Sequence, residues 1–184
     1  MNFIIIIPAL EKNRYSTKGD LVSWGSSTLL EWKISQAKKI IGAKEICVVA
    51  TGKKIKQVCK EQNVSFLKRE NKLKDINKLH LFVAKKFQKD FIVWLNPTFP
   101  FIKPKTASKF IKIFKKNSKN FDSLVSSFNL NEFLFLKNKS INFDYLKKSI
   151  SRSEVKKVNL VVNAITIIKG STILKYKNLF GKRV

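Results

Sequence analysis

The sequence predicts a single α/β domain whose β-sheet is mainly parallel and is covered by helices on both faces, in three αβα layers. Short, continuous apolar runs alternate along the chain with segments in which apolar residues recur every three or four positions. Continuous runs of this length are typical of strands buried on both faces, and their alternation with helices predicts parallel pairing. The length of 184 residues also suits one domain.

The predicted elements follow one another without a linker, an internal repeat or a low-complexity tract. The predicted strands cover residues 3–7, 46–50, 64–67, 91–95, 124–128, 133–136 and 158–168. Helices are predicted between the strands and around residues 173–180.

Start signals identify two of the helices. Thr28 and Glu31 have the spacing of a capping box, and Asp75 can cap a later helix. The first of these helices is predicted to bury Leu30, Ile34, Ala37 and Ile41 and to end at Gly42. The second is predicted to bury Ile76, Leu79, Val83 and Phe87.

The charge balance is strongly basic, with 38 Lys and Arg against 12 Asp and Glu and a net charge of +26. One explanation is an anionic partner, because a positive field concentrates phosphates and polyanions. The other is compositional drift, since Lys, Asn, Ile and Phe are all abundant and the lysines are spread along the whole chain. Nucleic-acid-binding proteins usually also use Arg, of which this chain has only four.

Several features predict a cytoplasmic protein without zinc. Pro8 interrupts the first apolar run, which has no basic segment before it and therefore predicts a strand rather than a signal peptide. No apolar run approaches the ~20 residues that span a bilayer. Cys47 and Cys59 lack metal-type spacing, and two thiols without an export signal indicate a reducing compartment.

Ligands of parallel sheets bind beyond the carboxyl ends of the strands, which here means the loops at residues 8–27, 52–53, 68–75 and 96–103. The first of these loops contains Arg14, Lys18 and two glycines, Gly19 and Gly25. Cations neutralise phosphates and glycines let the backbone approach them closely, so the loop can cradle a triphosphate. It lacks the spacing of a Walker A loop, and an ordinary solvated loop is the open alternative.

Eight short segments, in order along nearly the whole chain, carry a family resemblance. They are I-P-A at 7–9, K-G at 18–19, the start of a helix at 25–37, V-V-A-T at 48–51, F-L-K-R at 66–69 followed by Asp75, L-N-P-T-F-P-F at 95–101, D-S-L-V-S at 122–126 and N-A-I-T-I at 163–167. Together they resemble the motifs of the acylneuraminate (CMP-sialic acid) cytidylyltransferases and the related CMP-Kdo synthetases. The resemblance implies a Rossmann-like nucleotidyltransferase fold of GT-A type, and transfer of CMP from CTP to an acid sugar for surface polysaccharide synthesis.

The resemblance also implies roles for individual residues. Arg14 and Lys18 would hold the phosphates and, with Asn96, support catalysis. The nucleotide would be bordered by Pro8, Ala9, Leu10, Lys18, Arg69 and Asp75, although capping alone could account for Asp75. The acceptor sugar would contact Asn96, Thr98 and Asn163. Mg²⁺ would arrive with CTP rather than on a protein site, no organic cofactor is expected, and a homodimer is implied.

The chain departs from the family pattern in ways that affect catalysis. Leu10 stands where the family has Arg, Asn96 replaces Gln, and Phe99 replaces Ser. The family's C-terminal acidic I-D-x-D segment has no counterpart, because Glu154 is the only acid after Asp144. Without such a segment, turnover is predicted to be at least ~10²-fold below that of a complete relative. A nucleotide-binding or scaffold protein with little or no turnover is therefore one alternative, and a basic nucleic-acid-binding protein, supported by the charge alone, is another.

The remaining aromatic residues and the single histidine have conventional interpretations. His80 lies in a helical pattern and is predicted to be structural or exposed. Trp32 and Trp94 are predicted to be core residues, which leaves Trp24 as the candidate for stacking on a base. The phenylalanine-rich residues 128–143 predict strand and core, or a dimer face.

Overall fold

A computed structural model describes residues 1–70, 75–144, 146 and 151–184. The chain divides into two units, the first containing Met1–Val125 and Asn163–Val184 and the second containing Ser126–Val162.

Six strands form one sheet, in the order β5-β4-β1-β6-β10-β7. The ten strands of the described residues are β1 (Phe3–Pro8), β2 (Ser23–Trp24), β3 (Ser27–Thr28), β4 (Glu45–Ala50), β5 (Ser65–Lys68), β6 (Phe91–Leu95), β7 (Ser123–Leu130), β8 (Phe135–Leu136), β9 (Lys139–Ser140) and β10 (Val158–Lys169). β1 pairs in parallel with β4 and β6, and β4 pairs in parallel with β5. β10 runs antiparallel to β6. The prediction of a mainly parallel sheet is thus confirmed.

Five α-helices connect or follow these strands within the described residues. They are α1 (Leu29–Lys38), α2 (Lys53–Glu61), α3 (Ile76–Lys86), α4 (Pro104–Asn117) and α5 (Gly170–Tyr176). α1 begins at the predicted capping box, in which the Glu31 N–H donates to Thr28 Oγ1 and the Thr28 N–H donates to Glu31 Oε2 at 2.7 Å.

The helices cover the sheet in two layers, each with its own apolar core. Alternate residues of β1 point to opposite faces, as the pleat of a strand requires. Phe3, Ile5 and Ile7 pack with side chains of α1, α2 and α4, whereas Ile4 and Ile6 pack with side chains of α3 and α5. This is the predicted three-layer arrangement, and it explains why β1 is apolar at every position.

Some predictions within the helices are wrong. α1 ends at Lys38 and the chain turns, so Ile41 is 81% exposed and Ile40 is buried in its place. Ile76, at the first position of α3, is 56% exposed because the helix turns this residue away from the sheet. Trp32 is partly exposed rather than a core residue. The last helix begins at Gly170 rather than near residue 173.

The second unit contains the short hairpin of β8 and β9. The side chain of Asn142 is a buried polar group of this unit. It donates hydrogen bonds to Glu132 O and Lys156 O and accepts one from the Leu134 N–H. The interpretation of residues 128–143 as core is wrong for the exposed Phe128 and Phe135. Among the described residues, no helix has the length and apolar character needed to cross a membrane.

Candidate functional site

The candidate site lies in the first unit, where β1, β4, β5 and β6 end at the same edge of the sheet. Because these strands are parallel, the loops that follow them meet at this edge. Two backbone hydrogen bonds hold the starts of the loops after β1 and β5 against the end of β4: the Ala9 N–H donates to Val49 O at 3.0 Å, and the Arg69 N–H donates to Ala50 O at 2.9 Å. Residues 71–74 of the predicted loop at 68–75 lie outside the described residues.

The first loop is closed at its base by Leu10 and Asp20. The Leu10 N–H donates to Asp20 Oδ2 at 2.8 Å, and the Asp20 N–H donates back to Leu10 O at 2.8 Å. Asn13 also donates to the Asp20 carboxylate, which is 4% exposed. Burial raises the pKa of Asp20, although the hydrogen bond from Leu10 acts in the opposite direction.

Glycine is required where this loop closes. Gly19 has a φ of +53°, and a Cβ at this position would lie 2.1 Å from Leu10 O. The Lys18-Gly19 step that was predicted to approach phosphates therefore has a structural requirement for glycine even without a ligand.

Glu11 attaches the first loop to the N-terminus of α2. Its Oε1 accepts hydrogen bonds from the backbone N–H groups of Lys54, at 2.7 Å, and Ile55, at 3.3 Å. Carboxylates are favoured at helix N-termini because unpaired N–H groups and the helix dipole both attract negative charge. Beside this contact is a cleft of about 290 Å³, lined by Glu11, Thr17, Lys18, Leu21 and Lys54.

The predicted phosphate-binding cations occupy the exposed part of the same loop. The Arg14 guanidinium lies 4.7 Å from the centre of the Tyr15 ring and donates to the Tyr15 hydroxyl. Lys18 is exposed and lines the cleft. Pro8 ends β1, with Ala9 buried and Leu10 partly buried behind it.

Arg69 follows β5 and is the partly buried cation of the site. Its Nε is buried and has no hydrogen-bond partner among the described residues. Burial lowers the pKa of this guanidinium. A charge-assisted hydrogen bond from Arg69 to an anion would also be stronger in these less solvated surroundings than in water. Asp75 lies at the start of α3, where its Oδ1 accepts from the Asn77 N–H at 2.8 Å. The predicted capping role of Asp75 is thus confirmed.

The predicted acceptor residues Asn96 and Asn163 are in contact. The Asn96 side-chain amide donates to Asn163 O, because the antiparallel pairing of Ile165 with Leu95 brings β10 beside the end of β6. Thr98 is exposed in the loop that follows β6. The strand pairing thus unites residues that are 67 positions apart.

Sequence reasoning missed Lys33, which is 0% exposed on the inner face of α1. Its Nζ donates to Phe99 O at 2.7 Å, and the neighbouring Trp32 Nε1 donates to Pro100 O at 3.0 Å. The signal was present in the spacing, since Lys33 falls between Leu30 and Ala37 on the apolar face of the helix.

Two aromatic contacts clarify earlier interpretations. The Trp24 ring packs edge-on against Phe101 with centres 5.7 Å apart. His80 is 9% exposed and packs against the buried Trp94, with ring centres 4.8 Å apart. Burial lowers the pKa of His80 to about 4, so the ring is neutral near pH 7, and of the two predicted alternatives, structural or exposed, the buried structural one is confirmed.

Two acidic residues of the candidate site, Glu11 and Asp20, are hydrogen-bonded to protein N–H groups. Among the described residues, no group of three His, Cys, Asp or Glu side chains is close enough to hold one. At the candidate site, Glu11 Oε1 and both oxygens of Asp20 are already hydrogen-bonded to the protein. Magnesium is usually held by one or two carboxylates together with substrate phosphates.

Comparisons with known proteins give both a family and a fold. A family model for cytidylyltransferases matches residues 4–164. No curated protein sequence matches the chain significantly.

Three solved structures are similar to the chain. The first is CMP:2-keto-3-deoxy-manno-octonic acid synthetase in complex with CTP, with 11% identity and a TM-score of 0.75 over 96% of this chain and 77% of that protein. The second is a cytidylyltransferase from Leptospira borgpetersenii, with 19% identity and a TM-score of 0.65. The similarity covers 95% of this chain but only 63% of the length of that protein. 4-Diphosphocytidyl-2C-methyl-D-erythritol synthase has 11% identity and a TM-score of 0.67 over 96% of this chain and 78% of that protein. The predicted Rossmann-like nucleotidyltransferase fold is confirmed.

Proposed function

This chain belongs to the cytidylyltransferase family, and on that premise we propose that it transfers CMP from CTP to an acid sugar of the sialic-acid or other nonulosonate type. The product would be a nucleotide-activated sugar for surface polysaccharide synthesis. One observation carries the proposal: the family match runs from residue 4 to residue 164 and so includes every residue predicted for the site.

In the proposed reaction a hydroxyl of the sugar attacks the α-phosphorus of CTP. A new O–P bond forms, the bond between the α-phosphorus and the bridging oxygen breaks, and pyrophosphate leaves. The hydroxyl loses its proton to solvent. Negative charge accumulates on the departing pyrophosphate, so cations close to it lower the barrier.

Three cations at the carboxyl edge of the sheet are suited to this charge. Arg14 and Lys18 are exposed on the first loop, where they can reach an entering triphosphate. The buried Nε of Arg69 has no hydrogen-bond partner among the described residues, and Arg69 can donate to the nucleotide. Pro8, Ala9 and Leu10 would border the nucleotide through their backbone.

Neutral polar groups are suited to the acceptor. Asn96 and Thr98, in the loop after β6, offer amide and hydroxyl groups, and Asn163 lies beside them through its contact with Asn96. Such groups recognise sugar hydroxyls and carboxylates by hydrogen bonds. We propose that Mg²⁺ is bound mainly by the CTP phosphates, since both carboxylate oxygens of Asp20 and Oε1 of Glu11 already accept hydrogen bonds from the protein.

We also propose a cytoplasmic homodimer. The second unit carries exposed large apolar residues, which are more frequent at interfaces than on solvated surfaces. They are Phe128, Phe133, Phe135, Leu136, Ile141, Leu160 and Val161. Light scattering of the purified protein would test this, because a dimer has twice the 21.2 kDa mass of the chain.

The first experiment measures the thermal midpoint with CTP, UTP, ATP and GTP, each with and without Mg²⁺, at moderate salt. A ligand that binds only the folded state raises the midpoint according to its affinity. We expect stabilisation by CTP alone. Equal shifts by all four nucleotides, or none, would contradict the proposal and favour the basic nucleic-acid-binding alternative, whose affinity should fall steeply with salt.

A second experiment measures pyrophosphate release from CTP with sialic acid, Kdo and a methylerythritol phosphate acceptor. We expect release with an acid sugar. Release with the erythritol acceptor alone would overturn the acid-sugar assignment. Binding of CTP without release from any acceptor would support the nucleotide-binding or scaffold alternative.

A further inference from the structure

Two neighbouring residues of α1 hold the loop that follows β6. Lys33 Nζ donates to Phe99 O at 2.7 Å, and Trp32 Nε1 donates to Pro100 O at 3.0 Å. A third contact involves the next residue of the loop, since the Phe101 ring packs against Trp24 with centres 5.7 Å apart. Three successive loop residues are thus fixed from one side.

The lysine contact is unusual because the side chain is fully buried. No carboxylate forms an ion pair with Lys33 among the described residues. Burying an ammonium without a counter-ion is costly, whereas Met or Leu would suit the same apolar helix face without that cost. Burial lowers the pKa of Lys33 to about 8, which reflects the same penalty. The hydrogen bond to the loop is a benefit that an apolar residue could not supply.

The loop connects Lys33 to the predicted acceptor residues. The Phe99 N–H donates to Asn96 O at 3.2 Å, so the residue that Lys33 holds is bonded by its own backbone to Asn96. Thr98 lies between the two, and the Asn96 side chain reaches Asn163 O. The orientation of Asn96 and Thr98 therefore depends on where Phe99 is held.

We propose that Lys33 is a positioning residue for the acceptor half of the site: through Phe99 O it fixes the turn 96–99, so that Asn96 and Thr98 are oriented before the acceptor binds. This inference rests on the proposed function. It assigns to Lys33 an effect on the acceptor and none on CTP, because its contact is with the loop after β6 and not with the first loop.

The test compares Lys33→Met, which keeps length and apolar bulk but removes the donor, with Lys38→Met as a matched control. Lys38 is an exposed lysine of the same helix, and its Nζ donates to Gln62 Oε1 at 3.4 Å, away from the loop after β6. The three tryptophan indoles serve as reporters in an ¹H–¹⁵N spectrum. We expect the Trp32 indole N–H to exchange with solvent about tenfold faster in Lys33→Met, since local opening of the loop becomes easier. The buried Trp94 indole should not change, and Lys38→Met should match the wild type.

The kinetic arm measures KM for each substrate separately. Lys33→Met should raise the acceptor KM about tenfold, the effect of losing one well-oriented contact, and leave the CTP KM within about twofold. Trp32→Phe removes the neighbouring donor from a partly exposed position and should raise the acceptor KM in the same way, which keeps the test usable if Lys33→Met folds poorly.

Each outcome decides the proposal. An unchanged Trp32 indole in Lys33→Met would show that Lys33 does not hold the loop. If Lys33→Met changed the KM for the acceptor and the KM for CTP equally, or changed neither, the proposed role of Lys33 toward the acceptor would be overturned. A wild type without turnover on any acceptor would overturn the proposed function together with the acceptor role, whereas the indole measurement would still decide whether Lys33 holds the loop.

Discussion

The carboxylate of Glu11 lies beside the Cα of Gly52, and a Cβ added to residue 52 would be 1.9 Å from Glu11 Oε1. Gly52 has a φ of −87° and a ψ of 151°, which any residue adopts, so a side chain at this position would conflict with Glu11 and not with the backbone. The same carboxylate accepts hydrogen bonds at the start of α2. Gly52 and Glu11 therefore act together in attaching the first loop to α2.

We expect Gly52→Ala to displace Glu11 and to lower the free energy of unfolding by about 1–2 kcal/mol, the usual cost of losing a helix cap. Glu11→Ala should cost about as much, because it removes the same contact. The double variant should cost no more than either single variant, since residues that share one contact are not additive. Urea denaturation measures all three. The control is Glu61→Ala, which removes an exposed acid of α2; its effect on the free energy of unfolding should add to that of Gly52→Ala. If the effects of Gly52→Ala and Glu11→Ala were also additive, the two residues would not be coupled.

Arg69→Met should weaken CTP binding by about tenfold or more, the loss associated with a charge-assisted hydrogen bond. The midpoint without ligand should change little, because the buried Nε has no protein partner to lose among the described residues. Titration calorimetry with CTP measures the affinity. Lys60→Met removes the same charge from the surface of α2 and should bind CTP like the wild type. Equal weakening in both variants would indicate a general effect of charge in place of a specific contact.

Asp75 can be tested for a role beyond capping. Asp75→Ala should lower the stability by about 1 kcal/mol, whereas Asp75→Asn should lie within a few tenths of the wild type, because Asn caps helices as well as Asp does. If capping is the only role, Asp75→Asn also binds CTP with unchanged affinity, which is the result we expect. Reduced CTP affinity in a fully stable Asp75→Asn protein would show that the carboxylate itself contacts the nucleotide.

His80 should make the protein sensitive to acid between pH 6.5 and about 4. The pKa of His80 is lowered in the folded state by burial, so the unfolded chain binds a proton in this range before the folded protein does. The free energy of unfolding should therefore be unaffected by His80 above pH 6.5 and should fall as the pH approaches 4. Protonation of His80 accounts for a loss of about 3 kcal/mol at most. Urea denaturation at several pH values, compared with His80→Phe, measures the difference. Parallel stability profiles for the two proteins would show that other groups cause the acid sensitivity.

Strands could be predicted from the sequence because continuous burial leaves an unambiguous pattern. The β6 range was predicted without error, and β1 and β4 within one residue, since each is apolar along its length. The end of α1 was predicted less well, because the apolar spacing continues to Ile41 although the chain turns after Lys38. Periodicity describes which face is apolar and does not fix where a helix stops.

The contacts of the candidate site were much less accessible to sequence reasoning. The loops could be located, because their positions follow from the parallel sheet. The contact of Glu11 with Lys54, however, joins residues 43 positions apart, and nothing in the local pattern of either predicts it. Lys33 was overlooked because lysines are almost always exposed, so its position within an apolar face was not recognised as burial.

The alternation along β1 has a consequence for how the protein comes apart. Phe3, Ile5 and Ile7 belong to one apolar layer and Ile4 and Ile6 to the other, so both layers depend on the same short strand. Neither layer can release β1 without exposing the other to water. The first unit should therefore unfold in a single cooperative transition, and a partly melted form that keeps one layer intact should not accumulate.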